Sequence, residues 1–345
     1  MAGSMNAGGQ ERYARQAVLP QIGPAGQERL GASGALIVGC GALGCAQAQL
    51  LARAGVGRLV IVDRDFVELN NLQRQLLYDE ADAAQRLPKA EAAARHLRAI
   101  NSGIRVEPVV ADLTARNASE LVQGVDVVLD ATDNVETRYL VNDACVKAGK
   151  RWVYGGAVGT SGVVLAVRPG DGPCLRCAFP EPAPPGTLPT CDTAGVLNAA
   201  PAAIAALQVV EAMKLLLGAD PESHRLHSFD LWSPSFRSVK VLREPGCRCC
   251  GARDFEFLSA QVTSTATSLC GRNAVQVTPA RPSPIDLDAL GRQLRSVGKV
   301  TSNGLLLQLS VGPHEIVLFP DGRAIVRGTS DPAVARSLYA KYVGG

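Results

Sequence analysis

Several residue clusters in this 345-residue chain are spaced for chemistry. Gly39-Cys40-Gly41-Ala42-Leu43-Gly44 follows an apolar β-branched run and opens an Ala/Leu-rich stretch, the setting in which a GxGxxG loop cradles phosphate. Its glycines let the backbone approach an anion, while the start of the following helix supplies N–H donors. Asp63 closes the next β-branched run about 20 residues on, where a carboxylate accepts hydrogen bonds from a ribose. These features alone would also suit a nicotinamide dehydrogenase.

A polar run then departs from that simpler reading. Asp65, Asn71, Arg74 and Gln75 lie in the segment after Asp63, Lys89 follows Pro88 at an expected helix start, and a fourth strand ends in Asp130-Ala131-Thr132-Asp133-Asn134. Pro88 is suited to the first helical position, and a cation beside it opposes the helix dipole unless an anion is bound. Two cations and extra carboxylates at successive strand ends suit a triphosphate with Mg²⁺ better than a nicotinamide. The plain alternatives are solvated surface charges for Arg74 and Lys89 and a helix cap for Asp133.

Cys174-Leu175-Arg176-Cys177 and Cys247-Arg248-Cys249-Cys250 hold two CxxC pairs about 70 residues apart. Four thiolates without a histidine suit a closed, structural Zn²⁺ that staples distant segments. Cys249 competes within the second pair, where the two-residue gap favours Cys250. Cys40, Cys45, Cys145 and Cys270 read as packing residues.

Positioning these groups requires alternating strands and helices. Strands are expected at 35–38, 59–62, 105–110, 126–129 and 152–154, with helices near 42–54, 88–100, 115–123 and 135–148. Later runs at 163–167, 226–231 and 236–242 lack helical crossovers and read as antiparallel. The predicted fold is α/β, a Rossmann-like, doubly wound, mostly parallel sheet with an antiparallel extension and a structural zinc site, plus a small C-terminal α+β domain. The domain boundaries read as an N-terminal arm over 1–30, a nucleotide-binding domain with the zinc site over 31–251 and the small domain over 252–345. The last is expected to hold a strand at 274–278, a helix over 287–297, a hairpin over 305–326 turning at Pro320-Asp321-Gly322, and a final helix over 333–342.

Composition narrows the function classes. With 35 Lys and Arg against 32 Asp and Glu the net charge is +3, and aromatics are 4% of the chain, so neither a nucleic-acid surface nor a base-stacking platform is expected. Ten cysteines with no apolar leader point to a reducing, cytoplasmic setting. The most apolar stretch, 199–217, is interrupted by Pro201, Gln208, Glu211 and Lys214, which argues against a membrane span.

Taken in order, Arg12 to Gln16, the Gly39–Gly44 loop, Arg53 to Gly57, Asn71 to Gln75, Pro88-Lys89, Thr132 to Asn134, the CxxC pairs and Thr190 to Gly195 resemble the ThiF/MoeB/HesA family of adenylyltransferases, bacterial relatives of ubiquitin-activating enzymes. The resemblance spans about residues 10–251. It implies a homodimer that uses Mg·ATP to adenylate the C-terminal glycine of a ubiquitin-like sulfur carrier of the ThiS/MoaD kind ending in Gly-Gly, with a cysteine desulfurase as sulfur donor. By position it assigns Asp63 to the ribose, Arg74 and Lys89 to the phosphates, Asp133 to Mg²⁺ and Arg15 to the neighbouring subunit's ATP. It also implies two roles for Cys191, a covalent acceptor in some members and a dispensable residue in others. The 94 residues after Gly251 depart from the short members and do not resemble a rhodanese domain. A relative acting on a small or tRNA-linked carboxylate, an oxidoreductase and an inactive zinc-stapled binding protein are the competing readings.

Overall fold

The computed structural model describes residues 11–183, 194–219, 224–259, 265–269, 273–278 and 284–343. The chain divides into two units, residues 1–260 and 261–345.

The first unit is built on an eight-stranded sheet. Its strands are β1 (Gly34–Val38), β2 (Arg58–Asp63), β3 (Arg105–Val110), β4 (Val127–Asp130), β5 (Arg151–Val158), β6 (Ser161–Val167), β7 (Arg225–Asp230) and β8 (Ser235–Lys240), in the order β3-β2-β1-β4-β5-β6-β7-β8. Pairings from β3 through β5 are parallel and those from β5 to β8 antiparallel. All five residues of β1 are buried, as expected for a central strand covered on both faces. On one face Leu36, Val38, Val60, Val62 and Val128 share a core with Val122, Leu140 and Val141 from the Ala118–Gln123 and Val135–Ala148 helices. Ala35 and Ile37 alternate to the other face, where the Ala42–Ala54 helix packs against both the Lys89–Ile100 and Ala199–Leu217 helices.

Helix ends follow local chemistry. Ala42–Ala54 stops at Gly55, whose φ of +82° suits glycine, and Val135–Ala148 starts where Asn134 Oδ1 accepts the Thr137 N–H at 3.1 Å and stops at Gly149 with φ +68°. Pro88 is the residue before the Lys89–Ile100 helix rather than its first member. Ala199–Leu217 is long and apolar enough to cross a membrane by length and composition. Here it lies against β4, β5 and β6, with Gln208 fully buried among backbone acceptors.

The second unit is a six-stranded antiparallel sheet, β9 (Thr265–Leu269) to β14 (Ala324–Arg327), ordered β11-β12-β13-β14-β10-β9. β10 is Ala274–Thr278, β11 Lys299–Ser302, β12 Leu307–Val311 and β13 His314–Leu318. Two helices, Leu287–Leu294 and Pro332–Tyr342, close its core through Leu294, Ala335 and Tyr339. The small α+β domain expected from the sequence is therefore present, with two corrections. The single hairpin over 305–326 is two hairpins: besides the turn at 320–322, the chain reverses at Gly312-Pro313, where Gly312 has φ +55°. The domain boundary also moves, because residues 252–259 belong to the first unit: Phe255, Phe257 and Leu258 pack into its core and the Phe257 N–H donates to Asp143 Oδ2 at 3.0 Å.

Candidate active site and metal centre

The central strands β2, β1 and β4 end together: Val38 pairs with Val62 on one side and Asp130 on the other. The crevice beyond the carboxyl ends of such strands, where strand order reverses, is where open α/β sheets bind ligands. The Gly39–Gly44 loop, Asp63 and the Asp130–Asn134 segment all leave the sheet at this edge.

Each loop glycine has its own reason. Gly39 has φ +89°, and a Cβ there would stand 2.8 Å from the Ala131 carbonyl. A Cβ on Gly44 would stand 2.1 Å from the Gly39 oxygen, so this glycine lets helix and loop meet. Gly41 meets nothing closer than 3.9 Å and leaves its backbone open to a ligand.

Asp63 holds this loop to the next one. Its Oδ2 accepts the Cys40 N–H at 2.6 Å and its Oδ1 the Asp65 N–H at 2.7 Å. Burial raises the Asp63 carboxyl above its ordinary range while Lys89 pulls it down. Lys89 is 3% exposed, so the surface-charge reading does not hold for it; its Nζ lies 3.2 Å from Asp65 Oδ2. The Lys89 backbone N–H also donates to the Asp65 carbonyl at 2.9 Å, which fixes the lysine at this edge.

The other predicted residues sit in varied settings. Arg74 is half-buried and donates from Nη1 to the Asn70 carbonyl at 3.0 Å. Asn71 is buried within the Leu69–Asn71 turn, its Oδ1 accepting the Glu68 N–H at 3.2 Å and its Nδ2 donating to Asn70 Oδ1 at 2.9 Å. Asp133 is exposed, and the helix cap is Asn134 instead. Asn134 thus spends its acceptor on the helix. Arg15 is exposed on the Ala14–Ala17 helix and makes no hydrogen bond among the described residues. That arm is anchored by its neighbours: Tyr13 OH accepts from Asn101 Nδ2 at 2.7 Å, and Gln16 Nε2 donates to Gln27 Oε1 at 2.7 Å. Cys191 lies outside the described residues.

Supports that sequence reasoning missed hold the edge in place. Tyr78, 8% exposed, has its hydroxyl 2.8 Å from the Cys40 carbonyl and 3.2 Å from that of Lys89, coupling the glycine loop to the lysine helix. The end of β4 is gripped by two fully buried amides: Gln208 Nε2 donates to the Asp130 carbonyl at 2.8 Å, and Gln47 Nε2 donates to Gln208 Oε1 at 2.7 Å and to the same carbonyl at 3.1 Å. Gln47 and Gln208, polar residues within Ala/Leu-rich helices, were the available signal. Asp130 itself is fully buried, and burial raises its carboxyl against the opposing effects of Arg138 and Thr132.

The metal centre is separate. Cys174, Cys177, Cys247 and Cys250 bring their sulfurs within 4.8 Å of one another. Cys174 and Cys247 are 3.6 Å apart and Cys177 and Cys250 3.5 Å. A tetrahedron with Zn–S bonds of about 2.3 Å has edges of about 3.8 Å, so the four residues fit zinc. The separations exceed any disulfide bond. Burial and the Cys177 thiol push the Cys250 thiol up to about 11, so four thiolates need a cation among them. Cys249 is excluded from the cluster: it is fully buried and accepts from Asn142 Nδ2 at 3.1 Å. Asn142 Oδ1 in turn accepts the Leu175 N–H at 2.9 Å, bracing the first CxxC turn.

Comparison with known proteins agrees with this arrangement. The chain is 46% identical over 336 residues to the sulfur carrier protein ThiS adenylyltransferase of Bacillus subtilis, covering 96% of this chain and 99% of the relative, so the relative shares the C-terminal unit. It is 45% identical over 247 residues to the sulfur carrier protein adenylyltransferase of Thermus thermophilus, 70% of this chain and 90% of that one. In fold it is similar to a crystal structure of Escherichia coli MccB with ATP, with a TM-score of 0.61 and 22% identity over 70% of this chain and 74% of the other. The ThiF family model matches residues 13–249, from the anchored arm into the second cysteine pair, and the chain belongs to the ThiF family.

Proposed function

We propose that this protein is an ATP-dependent adenylyltransferase that activates the C-terminal glycine of a ubiquitin-like sulfur carrier. The observation that carries the reading is the meeting of the glycine loop, Asp63 and buried Lys89 at one sheet edge, in a chain similar over nearly its whole length to a ThiS adenylyltransferase.

A carboxylate oxygen of the carrier's last glycine attacks the α-phosphorus. The new P–O bond forms as the bond to the bridging oxygen breaks, and pyrophosphate leaves with the electron pair. The chemistry asks for little beyond in-line placement and positive charge along the phosphates. Asp63 receives the ribose, while Lys89 and Arg74 neutralise the phosphoryl oxygens and the departing pyrophosphate. Asp133, exposed beside the site, holds Mg²⁺, which supplies charge neutralisation to the phosphates when bound. Arg15 projects from its anchored arm to the ATP of a second copy, making the working form a homodimer. The cysteine cluster is structural, since all four ligand positions are filled by thiolates. Carrier thiolation then draws sulfur from a cysteine desulfurase in a cytoplasmic setting: the Cys191 thiolate takes the outer sulfur of the donor's persulfide, releasing the donor thiolate, and the Cys191 persulfide displaces AMP from the acyl-adenylate to give a reducible acyl-disulfide with the carrier.

Incubation with Mg·ATP and a Gly-Gly-ending carrier, followed by intact-mass spectrometry, should reveal a carrier carrying one added AMP. A carrier truncated by its last glycine should stay unmodified. No adenylate on any such carrier, with ATP bound, would overturn the assignment.

A further inference from the structure

Gln75 follows Arg74 and is 3% exposed. Among the described residues its side chain makes no hydrogen bond, and its Oε1 is sealed from solvent without a partner. An undonated amide is costly in a buried side chain, and since an anion can only accept, it is the free Nε2–H facing the glycine loop that calls for an acceptor arriving with a ligand.

The adjoining loop indicates where such a partner stands. Gly39 and Gly44 are glycines because a Cβ would collide with backbone, but a Cβ on Gly41 would meet only Gln75 Nε2, at 3.9 Å. The space over Gly41 is therefore bounded by the amide of Gln75 and by the start of the 13-residue Ala42–Ala54 helix, whose N–H groups favour an anion. The second glycine of such a loop is where the backbone comes closest to phosphate.

We propose that Gln75 is a catalytic residue that donates Nε2–H to a non-bridging oxygen of the ATP α-phosphoryl group seated over Gly41. This rests on the adenylation reading above. In the step, the carboxylate oxygen–phosphorus bond forms and the phosphorus–pyrophosphate bond breaks, with no net proton or redox change. Charge redistributes onto the non-bridging α-oxygens as the reaction advances, so a fixed donor there acts more strongly on the transition state than on bound ATP. Lys89 and Arg74 bring full charges to the phosphates, whereas Gln75 brings direction.

The test uses Gln75→Met, which keeps the side-chain length and removes both polar atoms. Because the amide has no partner to lose, the melting temperature should stay the same or rise. The calorimetric Kd for ATP should stay within about threefold, while kcat for carrier-dependent pyrophosphate exchange should fall about 100-fold. Gln75→Glu, isosteric but anionic, should weaken ATP binding as well. Parental kcat in Gln75→Met, a change confined to KM, or a lower melting temperature with activity per folded molecule preserved would each overturn the role. A parent that neither binds ATP nor exchanges pyrophosphate would overturn the adenylation reading with it, whereas those three outcomes in an active background overturn Gln75 alone.

Discussion

Replacing Lys89 by methionine removes a buried cation while preserving most of its volume, and the consequence for stability can be worked out from its surroundings. Nζ lies 3.2 Å from Asp65 Oδ2, with the two side chains only 4% and 15% exposed. At an effective dielectric constant near 20, that separation corresponds to an attraction of about 5 kcal/mol. Losing one member of such a pair typically costs about 3–5 kcal/mol, because the other charge stays buried. Lys89→Met should therefore lose about 3–5 kcal/mol in urea unfolding at pH 7. The loss should depend on pH. Burial already raises Asp63 and Lys89 opposes that rise, so without the lysine Asp63 takes up a proton more readily in the folded than in the unfolded chain. A raised carboxyl favours the folded state as pH falls, so the deficit is complete well above the raised folded pKa and shrinks as pH drops toward the ordinary carboxylate range. Urea titrations of parent and variant at pH 7 and pH 5 measure both effects. Equal stability at pH 7, or a deficit that widens at pH 5, would refute the buried pair as its cause.

Further outcomes follow from the same geometry. Cys174→Ser should bind less than one equivalent of zinc by metal analysis and melt roughly 10 °C lower, whereas Cys249→Ser, outside the cluster, should keep its zinc. Gly44→Ala places a Cβ 2.1 Å from the Gly39 oxygen and should weaken calorimetric ATP binding by at least about 100-fold, close to 3 kcal/mol. Cys191→Ser should retain pyrophosphate exchange within about twofold while losing any reductant-sensitive adduct with the carrier, visible on non-reducing gels.

The centre of the sheet was legible because β1 and β4 are buried throughout and the helices beside them carry explicit stops. Gly34–Val38 is uniformly apolar, and Gly55 and Gly149 mark the ends of their helices. The placement of the glycine loop, Asp63 and Lys89 was legible because they fall at strand ends and helix starts, where the backbone alone dictates direction. The supports were not. Tyr78 and the Gln47–Gln208 pair act through contacts 11 to 161 residues apart in sequence, and no local pattern reports those. Gln208 showed only as an interruption of an apolar run. The choice of Cys250 over Cys249 was legible in the two-residue gap, and the cluster of four sulfurs takes in Cys250 and leaves out Cys249. Residues 252–259 looked like the start of a new unit because a Gly251 break precedes them, yet Phe255 and Phe257 return to the first core.

Exchange of labelled pyrophosphate into ATP, measured with a Gly-Gly-ending carrier present and absent, tests adenylation most directly. Exchange should require the carrier and fall about 100- to 1000-fold in Arg74→Ala, the loss expected when one charge aimed at a developing oxyanion is removed. Carrier-independent exchange, an unchanged rate in Arg74→Ala, or tight nicotinamide binding with no exchange would contradict it.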